Sequence, residues 1–327
     1  MTKAFRIHAT GGPEVLRLED VEVGAPGPRE VRIRNTAVAV NFRDVLVRRG
    51  AHRVALPSGV GLESAGVIEA VGAEVEDLRV GQRVACVAGP DGAYAERRLA
   101  PASRTVPLPD AIDERTAAAM MIRGMTARYL LHETYRVKAG DTILVHAAAG
   151  GVGLIMCQWA KHLGATVIGT AGSAEKAAVA RAHGCDHAIV LGADGSTDFA
   201  AQVRARTDGR GVPAVYDSIG KATFAGSLAC LARRGILASF GEASGDPDPI
   251  APRALGTLGS VYVTHPSLPD YTATRAELLA TANHLFDMVA SGRIRIEISA
   301  EYPFAEAAQA HADLEARRTT GSIVLRV

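Results

Sequence analysis

Cysteine and net charge are both scarce in this sequence. The four cysteines (Cys86, Cys157, Cys185 and Cys230) lie far apart and form no C-x-x-C pair, so we expect reduced thiols rather than disulfides. Lys and Arg number 36 and Asp and Glu 35, which leaves a formal net charge of +1. This balance gives no general attraction to nucleic acid or to an anionic membrane.

The sequence also lacks an obvious targeting or membrane-spanning segment. Its first residues, MTKAFRIH, have no apolar core with a cleavage site, so no secretory signal is expected and a cytoplasmic protein is predicted. Residues 142–160 contain no Asp, Glu, Lys or Arg, which approaches the length of a membrane span. However, Gly150, Gly151 and Gly153 interrupt this stretch, so a strand, a glycine turn and a buried helix are predicted instead.

The first third of the chain shows short β-type runs separated by Gly and Pro. Residues 31–34 alternate apolar and charged side chains, and 66–72, 82–87 and 92–97 form similar runs. Many short strands with turns between them predict an antiparallel barrel or sandwich.

From about Arg123 to Val263 the pattern changes to an alternation of strands and helices. Six such strands indicate a doubly wound parallel sheet of the Rossmann type. The predicted strands are 142–146, 166–169, 187–190, 214–217, 236–240 and 260–263, and the predicted helices 154–163, 174–183, 199–207 and 224–231.

The end of the chain returns to the first pattern. Residues 275–291 and 305–317 have helical spacing of apolar residues, and 322–327 form a final strand. Because the parallel sheet is already complete, this strand is expected to pair in the first domain. We therefore predict a discontinuous catalytic domain of residues 1–122 and 268–327 around a Rossmann domain of residues 123–267.

The most informative motif is the glycine-rich segment that follows the strand at Thr142. Gly150, Gly151 and Gly153 lie where a strand meets a helix, at the head of a βαβ unit. Small residues there let the backbone approach a pyrophosphate, and the helix N-terminus offers free amides and partial positive charge. This context predicts a dinucleotide-binding loop.

The next strand indicates which dinucleotide is bound. Enzymes that use NAD place Asp or Glu about 20 residues after the glycine loop to bind the ribose. Here Thr170, Gly172 and Ser173 follow instead, with Lys176 one turn later. Small residues, a hydroxyl and a positive charge suit the 2′-phosphate of NADPH. Two alternatives stay open: Glu175 is the missing acid, or Lys176 is an ordinary exposed helix residue.

Several motifs in the same order resemble those of one known family. The sequence resembles the zinc-independent quinone oxidoreductases (zeta-crystallin-like) of the medium-chain dehydrogenase/reductase superfamily over essentially its whole length. The motifs are Gly11–Leu16, Asn41–Asp44, Leu56–Gly61, His146–Gly153, Val215–Ser218, Ser239–Gly241 and Tyr262–Thr264. The resemblance implies a GroES-like first domain, a Rossmann second domain, an active-site cleft between them and a homodimer.

The resemblance also implies residues for each part of NADPH. The pyrophosphate is expected at Gly151 and Val152, and the 2′-phosphate at Gly172, Ser173, Lys176 and Arg317 of the last helix. Contacts on the nicotinamide side are expected from Asn41, Phe42, Thr126, Tyr129, Phe240 and Gly241, with Pro266, Ser267 and Leu268 nearby. Gly150, Thr170 and Ser218 are further expected cofactor contacts.

Two substitutions and the absence of a cysteine group argue against a zinc site. Zinc-dependent relatives use Cys and His as catalytic ligands, with four Cys at a structural site. Asn41 and Leu62 stand at the catalytic positions, and no Cys occurs between Cys86 and Cys157. No metal site is therefore predicted, and alcohol oxidation is disfavoured because a Lewis acid is lacking.

The predicted catalytic residues are Asn41, Arg43 and His52. Asn41 can donate a hydrogen bond to a developing oxyanion, and the other two can add positive charge. Asp44 is interpreted as a helix cap and Glu63 as a structural hydrogen-bond partner. Leu46 and His52 replace expected tyrosines of the substrate region, Leu191 replaces a tyrosine that covers the adenine, and Glu242 replaces an Asn.

Three functions follow from these patterns. The leading hypothesis is reduction of quinones by NADPH, and the nearest alternative is reduction of polarised C=C bonds in enones, alkenals or enoyl thioesters. A third is an NADPH-binding protein with a structural or RNA-binding role. The net charge and the lack of stretches that combine aromatic and basic residues count against RNA as the main partner.

Overall fold

The computed structural model describes residues 1–87, 91–192 and 198–327, which form two compact units. The first unit comprises Met1–Met125, Tyr271–Ala290 and Ile296–Val327, and the second comprises Thr126–Asp270 and Ser291–Arg295. Among the described residues, no helix combines the length and apolar character needed to cross a bilayer.

The first unit begins with short strands, as predicted. The strands are β1 (Thr2–Ile7), β2 (Arg17–Val21), β3 (Glu30–Val40), β4 (Ser58–Gly59), β5 (Ser64–Val71), β6 (Arg83–Cys86), β7 (Arg97–Pro101) and β8 (Thr105–Pro107), with helices α1 (Phe42–Arg49) and α2 (Glu114–Tyr129). One prediction is wrong: residues 92–96 form an irregular segment with a single bridge from Ala95 to Ala4, and the strand begins at Arg97.

The second unit contains a six-stranded parallel sheet. Its strands are β9 (Thr142–Val145), β10 (Thr166–Ala171), β11 (His187–Val190), β12 (Val212–Asp217), β13 (Leu231–Ser239) and β14 (Tyr262–Thr264); its helices are α3 (Gly151–His162), α4 (Ala174–Ala182), α5 (Phe199–Ala205), α6 (Phe224–Cys230), α7 (Pro252–Thr257) and α8 (Leu268–Tyr271). The order β11-β10-β9-β12-β13-β14 reverses direction beside β9, as in a Rossmann sheet.

This arrangement confirms the interpretation of residues 142–160 as a strand, a turn and a helix. Strand β9 and helix α3 are buried through most of their length, and the strands contribute Leu144, Ile168 and Val215 to one hydrophobic core. The absence of charge in this stretch therefore reflects burial within the unit.

The end of the chain completes the first unit. It forms α9 (Arg275–Ala290), β15 (Ile298–Pro303), α10 (Ala307–Glu315) and β16 (Ser322–Arg326). Strand β16 pairs antiparallel with β3, with Ile323 opposite Val40, which confirms that the last strand returns to the first domain. The resulting sheet has the order β15-β16-β3-β5-β6-β8, with β7 also paired to β3, and β2-β1-β4 form a second sheet.

Candidate functional site

The loop between β9 and α3 is the candidate pyrophosphate-binding turn. Gly150 precedes α3 as its N-cap residue in an extended conformation, and Ala147 has a left-handed φ of 50°. The amide of Ala148 donates to the carbonyl oxygen of Thr170 at 2.9 Å, which fixes the turn to β10. The first amides of a helix have no acceptor within it, so the start of α3 can bind an anion.

Two glycines allow this turn to pack closely on its neighbours. A Cβ atom on Gly153 would lie 2.3 Å from the carbonyl oxygen of Ala147, and one on Gly169 would lie 2.6 Å from Cβ of Ala148. Because both distances are shorter than van der Waals contact, a larger residue would displace the turn. The close approach of helix and strands therefore depends on glycine at both positions.

The end of β10 and the start of α4 form the candidate 2′-phosphate region. Thr170 is buried and Gly172 is exposed, and a Cβ on Gly172 would meet no atom of the described residues within 4 Å. Oγ of Ser173 accepts the amide of Lys176 at 3.2 Å and caps α4. Glu175 lies in the first turn, and its hydrogen bond with Ser173 holds the pKa of its carboxyl below the usual value.

The loops after β12 and β13 bring three predicted cofactor residues together. The amide of Phe240 donates to the carbonyl oxygen of Asp217 at 2.8 Å. A Cβ on Gly241 would lie 3.0 Å from the carbonyl oxygen of Ser218. The carboxylate of Asp217 also accepts the amide of Ile219 at 2.8 Å, so the turn that contains Ser218 has a fixed shape.

The other predicted nicotinamide contacts of the second unit lie on the last turn of α2, which begins in the first unit and continues into the second, and around the start of α8. The hydroxyl of Tyr129 donates to the carbonyl oxygen of Pro266 at 3.4 Å, and Thr126 lies one turn earlier on the same helix. Tyr129, Thr126, Pro266 and Leu268 are buried, and Ser267 is half-buried.

Asn41, Phe42 and Arg43 lie at the N-terminus of α1 in the first unit. The backbone amide of Asn41 donates to Oδ2 of Asp44 at 2.9 Å, and its side-chain Nδ2 donates to Oε2 of Glu63 at 3.1 Å. These bonds confirm Asp44 as a helix cap and Glu63 as a structural hydrogen-bond partner. They also hold the Asn41 side chain in one orientation.

The two other predicted catalytic residues have different surroundings. Nη1 of Arg43 donates to Oδ1 of Asp91 at 2.8 Å, so its positive charge is already paired. His52 is half-buried after α1, and its amide donates to the carbonyl oxygen of Leu46 at 3.2 Å. Of the three, Asn41 is the one bonded to buried carboxyl groups.

A buried group of ionisable side chains adjoins Asn41 within the first unit. We call it the charged cluster, and its members are Asp44, Glu63, Tyr94, Arg123 and His311. The hydroxyl of Tyr94 donates to Oδ2 of Asp44 at 3.1 Å and lies 3.0 Å from Nε2 of His311. Glu63 lies 3.7 Å from Nη1 of Arg123. No motif of the sequence predicts this cluster.

Burial dominates the electrostatics of the charged cluster. It raises the pKa of the Asp44 carboxyl to about 7, although the amide of Asn41 and the hydroxyl of Tyr94 favour the charged form. It also raises the pKa of Glu63 to about 7 against the attraction of Arg123. The pKa of His311 is lowered to about 3 by burial and by the nearby Arg48.

Arg317 lies outside the last helix, which corrects the predicted span of residues 305–317. Helix α10 ends at Glu315, and Arg317 has a left-handed φ of 56°. The amides of Arg317 and Arg318 donate to carbonyl oxygens of the last helical turn at 3.1 and 3.0 Å. This is the Schellman pattern, in which glycine is the usual left-handed residue. Arg317 belongs to the first unit and Lys176 to the second.

The side chains at the expected zinc-ligand positions do not fit zinc. Nδ2 of Asn41 donates to Glu63, and Leu62 offers no donor atom for a metal. Within residues 1–87, 91–192 and 198–327, no group of three or more His, Cys, Asp or Glu side chains could hold a metal ion. The four cysteines are buried free thiols.

Comparison with known proteins identifies two family domains. Residues 27–110 match the alcohol dehydrogenase GroES-like domain, and residues 151–283 match the domain described as zinc-binding dehydrogenase. The two matches correspond to the barrel-type and Rossmann folds predicted from the sequence. They define an oxidoreductase of the medium-chain dehydrogenase/reductase superfamily.

Relatives that match the full length of the chain identify its family within this superfamily. A quinone oxidoreductase of Pseudomonas aeruginosa is 50% identical over 99% of both chains, and a 2-haloacrylate reductase of a Burkholderia species is 47% identical over 99% of both. The crystal structure of Escherichia coli quinone oxidoreductase complexed with NADPH has a TM-score of 0.96 and 40% identity, covering 99% of this chain and 100% of the other. The chain belongs to the quinone oxidoreductase family.

Proposed function

We propose that this protein reduces quinones with NADPH and needs no zinc. The observation that carries the proposal is the glycine turn before α3, in which Gly153 and Gly169 allow a close backbone approach beside a helix N-terminus. The similarity to quinone oxidoreductases over the whole chain supports it. The proposed catalytic domain comprises residues 1–122 and 268–327 and the proposed cofactor domain residues 123–267. These bounds differ by three residues from those of the two compact units, apart from Ser291–Arg295, which belong to the second unit.

The proposed cofactor residues follow the ends of the parallel strands. The amides of Gly151 and Val152, after Gly150, bind the pyrophosphate. The 2′-phosphate is bound by the turn from Thr170 to Ser173 together with Lys176 and Arg317. NADPH supplies the hydride when it is bound. The nicotinamide side is bordered by Asn41, Phe42, Thr126, Tyr129, Ser218, Phe240, Gly241, Pro266, Ser267 and Leu268.

Asn41 is the proposed contact for the acceptor oxygen. Its amide nitrogen carries two hydrogens, and one is donated to Glu63. The second can stabilise negative charge that develops on a quinone oxygen during hydride transfer. Because the charge of Arg43 is paired with Asp91, Arg43 and His52 have secondary roles, in shaping the field around the acceptor.

A specific relative favours a second candidate activity. The 2-haloacrylate reductase acts, by its name, on a polarised C=C bond and is 47% identical to this chain. Hydride addition to such a bond uses the same alignment of donor and acceptor. We therefore propose electron-poor alkenes as slower substrates.

A homodimer located in the cytoplasm is also proposed, and light scattering of the purified protein tests the dimer.

Kinetics with a panel of acceptors test the proposal. NADPH oxidation is followed with 1,4-benzoquinone, 9,10-phenanthrenequinone, an enone, 2-chloroacrylate and a crotonyl thioester. Quinones should have the highest kcat/KM, primary alcohols with NADP⁺ should give no turnover, and EDTA should leave the rates unchanged. A higher kcat/KM for an alkene than for every quinone would favour the second activity. RNA binding at physiological salt without turnover of any acceptor would contradict both.

A further inference from the structure

Five buried polar side chains form a hydrogen-bonded group beneath the glycine turn. We call it the strand-end cluster, and its members are His146, Thr170, Asp217, Thr223 and Ser227, all at most 3% exposed. Nδ1 of His146 lies 2.9 Å from Oγ1 of Thr170, and Nε2 lies 3.0 Å from Oγ of Ser227. The carboxylate of Asp217 accepts from Ser227 at 2.7 Å and from Thr223 at 2.8 Å. A fully buried group of this size is costly unless each member is bonded.

The cluster connects the carboxyl ends of three adjacent strands. His146 follows β9, Thr170 lies in β10, and Asp217 ends β12, which are neighbours in the sheet. The same three strand ends lead into the turns proposed to bind NADPH. Ser227 and Thr223 connect this group to α6. One chain of hydrogen bonds thus links three turns that are otherwise separate in the sequence.

The direction of each hydrogen bond follows from the contacts of Asp217, whose carboxyl oxygens accept from the amides of Ile219 and Gly220 and from the hydroxyl of Thr223. The hydroxyl of Ser227 also donates to Asp217, so the Ser227 oxygen is left to accept from Nε2–H of His146. Nδ1 of His146 then carries a lone pair and accepts from the hydroxyl of Thr170. Burial lowers the pKa of His146, which keeps the imidazole neutral and is consistent with this single tautomer.

We propose that His146 is a positioning residue for the cofactor: through Ser227 and Thr170 it holds the glycine turn in register with the turns after β10 and β12. The inference rests on the proposed use of NADPH. Movement of the glycine turn would misplace the amides that bind the pyrophosphate, which NADPH and NADH share. His146 therefore affects affinity for both cofactors equally and leaves the preference for NADPH unchanged.

The test compares variants of the cluster with a matched buried threonine. His146→Leu and Ser227→Ala break the chain of bonds, and His146→Gln keeps a donor for Ser227. Thr207 is also buried in the second unit, where its hydroxyl donates to Val203 at 3.0 Å and its oxygen accepts the amide of Gly211 at 3.0 Å. It precedes β12, at the opposite end of the sheet from the cofactor turns. Thr207→Val therefore loses comparable bonds away from the proposed site.

Dissociation constants of NADPH and NADH, the apoprotein melting temperature and kcat at saturating NADPH are measured for each variant. His146→Leu and Ser227→Ala should weaken both cofactors by about tenfold, the loss expected for about one buried hydrogen bond. kcat at saturating NADPH should stay within about twofold of the wild-type value, because these substitutions weaken cofactor binding and not hydride transfer. His146→Gln should recover part of the affinity. Thr207→Val should lower the melting temperature and leave both dissociation constants unchanged.

Two results would overturn the inference. If His146→Leu, Ser227→Ala and the milder His146→Gln lower the melting temperature as Thr207→Val does but bind both cofactors like the wild type, the cluster has a structural role only, and the proposed function stands. If the wild type binds neither NADPH nor NADH, the proposed function fails together with this inference.

Discussion

The two units bury polar groups in opposite ways. In the strand-end cluster of the second unit, each side chain is hydrogen-bonded to another member, and Asp217 accepts from both Thr223 and Ser227. The charged cluster of the first unit contains two carboxyls with one arginine within 4 Å of Glu63. It also retains buried atoms, Oδ1 of Asp44 and Nδ1 of His311, that have no hydrogen-bond partner among the described residues.

This difference shows how burial acts on connected and on incompletely connected groups. A completely hydrogen-bonded network gains rigidity from the low local dielectric constant, and rigidity suits turns that must present amides to a cofactor. Ionisable groups that are buried with fewer hydrogen bonds lose solvation, so the pKa values of their carboxyl groups rise instead. The first unit therefore responds to pH next to Asn41, whereas the second unit holds a fixed shape. Burial raises the pKa of each carboxyl to about 7.

The largest expected effect comes from removal of the arginine of the charged cluster. Arg123→Met should lower the free energy of unfolding by about 3–5 kcal/mol, because Glu63 would stay buried without its positive partner. Urea denaturation measures the change. The matched control is Arg115→Ala, since Arg115 is half exposed and pairs with Glu301 at the surface, and a loss within about 1 kcal/mol is expected. Equal losses of unfolding free energy in the two variants would contradict a buried charge pair between Arg123 and Glu63.

The next prediction concerns the pH dependence of stability. The pKa of Asp44 is raised by burial to about 7, and Arg43, Asp91, Glu63 and Arg123 are charged groups that interact with it. The folded state thus holds a proton that the unfolded state has lost. The stabilising contribution is complete below about pH 4 and is lost as pH rises to about 7. An asparagine side chain cannot ionise, so the Asp44→Asn variant lacks this loss. Its free energy of unfolding relative to that of the wild type should therefore increase across that range, by roughly 1.4 kcal/mol for each unit by which the pKa of Asp44 is raised.

The strand-end cluster should show the opposite sign. Burial lowers the pKa of His146, so its contribution is present above about pH 6.5, the ordinary value for histidine, and is lost as pH falls. His146→Gln should therefore gain stability relative to the wild type on acidification, whereas Asp44→Asn gains it as pH rises. Urea titrations at several pH values compare the two variants. Parallel pH profiles would refute the contrast between the clusters.

The sequence predicted what depends on neighbouring residues. The glycine turn and the alternating strands and helices lie within short segments and have periodic or positional signatures. The return of the last strand followed from counting strands. Residues 92–97 were wrongly assigned to a strand, because residues 92–96 form only a single bridge. The helix predicted at 305–317 was too long, because α10 ends at Glu315 and Arg317 adopts a left-handed conformation.

The buried clusters could not be predicted because their members are distant in sequence. Tyr94 is 50 residues from Asp44 and 217 from His311, and His146 is 81 from Ser227. No local pattern marks such pairs, and the motif His146–Gly153 does not indicate which side chains the imidazole contacts. These contacts follow only from the sheet topology.

A smaller effect on affinity is expected from Lys176, and it separates charge from shape in the second unit. A charge-assisted hydrogen bond to phosphate contributes about 1.5–3 kcal/mol, so Lys176→Ala should weaken NADPH binding by about one to two orders of magnitude. NADH binding should change little, unlike in the His146 variants, which weaken both. Lys138→Ala, which changes an exposed lysine of the same unit, is the control. Equal losses for both cofactors would remove Lys176 from the 2′-phosphate site.

The smallest expected effect concerns Arg317, where binding and backbone preference oppose each other. Its φ of 56° lies in the left-handed region, which costs a residue with a side chain about 1 kcal/mol relative to glycine. Arg317→Ala and Arg317→Gly remove the same guanidinium group, and both should weaken NADPH relative to NADH. Only the glycine variant also relieves the backbone, so its free energy of unfolding should exceed that of the alanine variant by about 1 kcal/mol.

Urea denaturation and cofactor titration of the two Arg317 variants measure these effects separately. Arg318→Ala is the control, because Arg318 is exposed and paired with Asp313 at 2.8 Å. If both Arg317 variants unfold at the same urea concentration, the left-handed conformation has no cost. If both keep the preference for NADPH, the charge at this position has no part in 2′-phosphate binding. A gain in stability with a loss of preference would mean that an arginine is kept at a glycine position for its contact with the cofactor.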